Sequence, residues 1–152
     1  MSRVRRTGDE GQIALLVLVY TLIALSLVAV AVDATAVHLA RTQLLDAADA
    51  AALDAADALD ESAAYTGGVG SALPLTTASV HEQASRYLSS YDPPSRLDQV
   101  ELGTSTGSSD GTSANVELSG RVRLPIAASV VAAWSGGITI TVRSNARTAV
   151  VP

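Results

Sequence analysis

Cysteine is absent from this sequence, which excludes a disulfide framework, a thiolate nucleophile and any cysteine-ligated zinc or iron–sulfur site. Any fold must therefore hold by packing alone. Lysine and phenylalanine are absent too, so all positive charge is arginine and the aromatic residues are four tyrosines and one tryptophan. A net charge of -5 with so few rings argues against a phosphate-neutralising, base-stacking face, and no nucleic-acid partner is expected. His38 and His81 are the two histidines, and neither has the orienting carboxylate and partner ligand that catalysis or metal binding uses. No glycine-rich phosphate loop, nucleophile elbow or HExxH helix occurs, so neither an enzymatic activity nor a cofactor is expected.

Against these absences stands one long apolar run. Residues 13–32 read IALLVLVYTLIALSLVAVAV without a charge, and about 20 such residues are what a helix needs to cross a bilayer's hydrocarbon. Inside lipid an isolated span must pair every backbone group internally, which leaves helix as its state. A cleaved secretory signal is the competing reading. Its apolar core is only about 7–15 residues, shorter than this run, although Ala34 and Ala36 imitate the small residues of a cleavage site. Arg3, Arg5 and Arg6 precede the span, while thirteen acids face seven arginines beyond Val32. The positive-inside rule then places the N-terminus in the cytoplasm and the remainder outside.

After Asp33 no glycine or proline occurs until Gly67, and alanine and leucine dominate the interval, so the helix is expected to continue out of the membrane. Wound at 100° per residue, Val37, Leu44, Ala48, Ala52, Ala55 and Leu59 gather on one face for packing, with Asp46, Asp49, Asp57 and Asp60 on the other for water. The hexapeptide LDAADA occurs at 45–50 and again at 53–58, but a step of eight residues turns the second copy by roughly 80°. It is composition bias, not a repeat architecture. The aspartate stripe reads as a solvated face, because helical carboxylates at this spacing do not converge the six or more oxygens that calcium takes.

Residues 65–74 (YTGGVGSALP) have the composition of a link. Beyond it, Val80, Ala84, Tyr87, Leu88 and Tyr91 fall at helical spacing, Ser79 and Glu82 suggest a capping box, and Pro93 and Pro94 stop the run. The period then changes to two. Val100 and Leu102, then Val116, Leu118, Val122 and Leu124, then Ile138, Ile140 and Val142 predict three half-buried strands, the first two joined by a hairpin loop centred on Asp110 and Gly111. Between Pro125 and Gly136, the segment IAASVVAAWS with the lone Trp134 reads as a short helix or an apolar loop.

A basic N-terminus, Gly11, an apolar span ending in Val32-Asp33, Arg41 three residues before Leu44, and AADAAAL at residues 47–53 together resemble the TadE/TadG-like proteins of Tad (Flp) pilus assembly. The resemblance covers roughly the first 55 residues, and its motif positions here are Asp33, Arg41, Asp49 and Leu53. It implies a non-enzymatic minor pilin-like or accessory subunit, anchored in the bacterial cytoplasmic membrane and working with the Tad ATPase, the membrane platform and other pilin-like subunits. It also implies a processing site between Gly11 and Gln12. One position departs from the pattern: a Tad prepilin carries a glutamate five residues after its processing glycine, and here that residue is Leu16. The missing carboxylate would otherwise pair with a neighbouring subunit's N-terminal amine, so the departure favours an accessory role over the filament's bulk.

The expected architecture is α+β: a long N-terminal transmembrane and stalk helix, then a small distal domain with one short helix and a three-stranded antiparallel sheet, pilin-like in outline. Its parts are a basic cytoplasmic end (1–12), the membrane helix (13–32), its extracytoplasmic continuation (33–64), a linker (65–75) and the distal domain (76–152). Partners are membrane lipid and like helices, with homo- or hetero-oligomers formed through the N-terminal helix. A membrane-tethered ligand-binding or sensory module is the alternative function; a tethered hydrolase would need a nucleophile and base that the sequence does not display.

Overall fold

The computed structural model describes residues 9–67, 75–130 and 136–147, and the side chains of 11–58, 75–129 and 136–147. One continuous helix, α1 (Asp9–Gly67), runs through both the apolar span and the alanine-rich stretch. At 1.5 Å per residue it is roughly 90 Å long. Nothing interrupts it because neither glycine nor proline occurs between Gln12 and Thr66. The hydroxyls in its apolar half are satisfied within the helix: Thr21 donates to the Val17 carbonyl, Ser26 to Leu22 and Thr35 to Ala31, each at 2.8 Å. Such back-bonding lets a polar side chain sit in hydrocarbon without an orphaned donor.

The rest of the chain builds a domain around the upper half of α1. It consists of α2 (Thr77–Ser90), β1 (Leu97–Leu102), β2 (Ser113–Val122), α3 (Ala127–Val130) and β3 (Ile138–Arg147). The three strands form one antiparallel meander in the order β1-β2-β3. The β2–β3 register is unbroken from Ser113 opposite Arg147 to Val122 opposite Ile138. On β2 the even positions Ala114, Val116, Leu118, Gly120 and Val122 are buried toward α1, as period two requires when one face covers a core. The odd positions carry cross-strand polar pairs: Glu117 bonds the Arg143 guanidinium, and Asn145 donates to the Asn115 side-chain carbonyl at 2.7 Å.

The core is unusual in that α1 supplies mostly alanine. Ala40, Ala47, Ala48, Ala51, Ala52, Ala55 and Ala56 are buried along with Leu44, and this arc is wider than a single face because the sheet covers one side and α2 the other. Small side chains permit that double approach. Gly120 serves the same end from the sheet, since a Cβ there would stand 2.9 Å from Leu97 Cδ1 and 3.5 Å from Leu44 Cδ2.

Two local details differ from the sequence expectation. The cap of α2 is Thr76 with Ser79 at the third helical position, where the pattern suggested Ser79 with Glu82. Burial of Leu75, and its N–H donated to the Gly111 carbonyl at 2.8 Å, set where the chain turns into the helix. Glu82 instead pairs with Arg86 one turn on, at an exposed site worth little to stability. In β1 the ladder shifts register between Asp98 and Glu101, and Gln99 takes a positive φ of 51°. This bulge reverses the alternation, so Leu97 is buried while Val100 and Leu102, of opposite parity, also pack on the core. The ambiguous segment after Pro125 forms the short helix α3 at its start, and Trp134 lies outside the described residues.

Candidate functional site

The largest chemistry-bearing surface among the described residues is α1 itself. Fourteen large apolar side chains between Ile13 and Val32 are exposed. At about 1.5–3 kcal/mol for each side chain removed from water, covering that shaft is worth on the order of tens of kcal/mol. Among the described residues this is the one helix long and apolar enough to cross a membrane, and its most apolar window has nothing buried. It fits a membrane anchor.

Above the shaft, burial divides α1 into two kinds of surface. Leu44, Ala48, Ala52 and Ala55 lie fully inside the chain's own domain, and Val37 packs against that core at half burial. Leu59 lies outside the residues whose side chains are described. This face is consumed by the sheet and α2 and is not free for another molecule. Arg41, Asp49 and Leu53 are exposed, Leu53 by 56%, and Leu39 and Leu45 are exposed beside them with Asp46 and Asp57. Gly11 and Gln12 sit in the first turns of α1, exposed, with open space around the Gly11 Cα.

Asp33 marks where shaft and domain join. Its carboxylate accepts the backbone N–H of Ile126 at 2.9 Å and of Ala127 at 2.8 Å. It therefore caps the start of α3 from a residue 93 positions earlier in the chain. Strand directions place this junction, the start of β1 and the end of β2 at the end of the domain nearest the shaft; the 103–112 loop lies at the far end. Beside the junction is an open groove of about 440 Å³, with Val28, Ala31, Val32 and Thr35 on one wall and Arg96 and Pro125 on the other.

The far end is stiffened by Asp110, at the centre of the hairpin loop. Its carboxylate accepts the N–H of Thr112 at 2.9 Å, and the N–H and hydroxyl of Ser113 at 2.7 and 2.8 Å. These bonds, led by the Thr112 amide and the Ser113 hydroxyl, hold its carboxyl well below the usual carboxylate range. Thr77 of α2 donates to the Ser108 carbonyl at 3.1 Å and closes the loop against the helix. On α2, Tyr87 and Tyr91 stack at 6.2 Å. Burial, and then the neighbouring Tyr87, Asp46 and Asp92, raise the Tyr91 phenol above its ordinary value.

Both histidines are exposed, and among the described residues no three His, Cys, Asp or Glu side chains are grouped to hold a metal ion. Sequence reasoning missed the Asp33 cap and the Arg96 groove, since each joins residues far apart in the chain. In comparison with known proteins, residues 11–58 match the model of a family described as putative Flp pilus-assembly TadE/G-like. That segment is about a third of the chain and is all α1. No curated protein and no solved structure matches the chain.

Proposed function

We propose that this chain, whose α1 is the TadE/TadG-like segment over residues 11–58, is a non-enzymatic minor pilin-like or accessory subunit of a Tad (Flp) type pilus or secretion assembly. The match of residues 11–58 to that family supports a pilus-related role. What carries the finer reading is the division of α1 into an exposed apolar shaft and an outer half built into its own domain, a helix shaped to be held in a membrane and to present a rigid head. The N-terminus lies in the cytoplasm and the domain outside, in keeping with Arg3, Arg5 and Arg6 before the span and the acidic excess after it. Lateral contact with other pilin-like subunits or with the Tad membrane platform uses the shaft within the bilayer, where small residues let helices approach. Outside the bilayer it uses the exposed strip of Leu39, Leu45 and Leu53 with Arg41 and Asp49.

Leu53 is the clean probe of that strip, because Ala48→Arg or Ala52→Arg would force a charge into a closed core and unfold the domain first. In the native host, Leu53→Arg is expected to remove pili counted by electron microscopy while the protein stays in washed membranes at its normal level. Normal piliation in that variant would discard the strip as a contact surface. The N-terminal residue of the purified mature protein tests processing at the same time: Gln12 marks cleavage after Gly11, and Met1 or Ser2 marks a plain anchor.

A further inference from the structure

The groove beside Asp33 has the chemistry of a lipid seat. One wall, Val28, Ala31 and Val32, belongs to the last turns of the membrane shaft, and Thr35 follows just above. Those residues span about 10 Å of helix axis, enough to cross from the outer hydrocarbon into an interfacial layer of roughly 5–8 Å. The opposite wall brings Arg96 and Pro125 from the domain. Arg96 makes no ion pair among the described residues, whereas nearby acids are already engaged: Asp98 with Arg123 at 2.5 Å, and Asp33 with the α3 amides. A guanidinium in this position, facing the headgroup layer over an apolar trough, is complementary to a phosphodiester whose acyl chain lies along the helix.

We propose that the groove seats one membrane phospholipid, its phosphate on Arg96 and an acyl chain along Val28, Ala31 and Val32, so that the lipid completes the junction between shaft and domain. The inference rests on the membrane-anchoring part of the function proposed above and adds a specific occupant for this site.

The test uses the full chain in nanodiscs of phosphatidylglycerol, released in the gas phase and weighed by native mass spectrometry. One retained phospholipid is expected per chain, and Arg96→Gln should lower that occupancy about tenfold, as the loss of one charge-assisted contact implies. Ala31→Trp, which fills the trough at an exposed position and leaves Arg96 in place, should expel the lipid as well. Arg147→Gln, on an exposed arginine at the other end of β3, should change nothing. Inorganic phosphate at millimolar concentration should fail to displace the lipid; displacement would make the site a simple anion site and overturn the proposal. Equal lipid retention by the wild type, Arg96→Gln and Ala31→Trp would overturn it too, as would a disulfide between Arg96→Cys in one copy and Val28→Cys in another, which would show a second helix in the groove. Release of the wild type from carbonate-washed membranes would remove the anchor and this inference together. Retention of the anchor without a bound lipid removes the inference alone.

Discussion

Asp33 ties the start of α3 to the helix at the point where shaft and domain join. Two amide donors at the start of α3 reach its carboxylate, and nothing else in the described structure is bonded to them. Replacing Asp33 with alanine leaves both N–H groups without an acceptor, at a cost of about 1–3 kcal/mol where the site is shielded from water. The expected result is faster hydrogen exchange at the Ile126 and Ala127 amides, with the β2–β3 ladder unaffected. Unchanged protection at those two amides would refute the capping role. Glutamine or asparagine at 33 would keep one acceptor and should fall between. The residue stands out in the sequence as the first charge after the span, but its partners could not be read there, because they are distant in the chain and are backbone groups that carry no residue signature.

At the scale of elements, β1 shows how pairing overrides local preference. Period two in Val100 and Leu102 predicts an alternating strand, and the strand exists; Leu97, of the wrong parity, is nonetheless one of the largest fully buried side chains. A left-handed residue at Gln99 reconciles them. For a residue with a Cβ that conformation costs roughly 1–2 kcal/mol, part of which glycine would return despite its greater freedom in the unfolded chain. Gln99→Gly is therefore expected to raise the stability of the folded domain by about 0.5–1 kcal/mol in denaturant titration, and Gln99→Val to lower it. A loss of stability in Gln99→Gly would mean the bulge is not strained. The helices were more legible than the strands. In α1 the absence of glycine and proline was enough, and in α2 the spacing from Val80 to Leu88 marked the buried side. The start of α2 was misplaced by three residues because two overlapping Ser/Thr patterns compete, and only the contact of Leu75 with the hairpin loop selects between them.

Among the described residues the lower half of α1 is an exposed apolar rod and the upper half is wrapped by one small domain, an arrangement that puts an apolar and a water-facing surface on the same helix. Wild-type protein should remain with membranes through alkaline carbonate washing, and protease added to intact spheroplasts should remove the distal domain while sparing the N-terminal end. Protection of the domain in intact cells would reverse the proposed topology, and digestion only after lysis would do the same. Because the alanine face is already filled by the sheet and α2, the contacts proposed with neighbouring subunits use the shaft and the strip around Leu53, a different surface from the one that helical periodicity singles out for packing.

The apolar span, the unbroken helix, the three strands and the resemblance over the N-terminal third are all legible in the sequence, because each is written in short-range signals: charge-free length, missing breakers, a period of two, a motif at fixed spacing. Which side of α1 remains open, how Leu97 reaches the core, what Asp33 holds and where Arg96 faces come from the packing of the folded chain. Each of these turns on residues tens of positions apart meeting at one place, and a contact of that kind depends on how the elements pack, not on any local pattern.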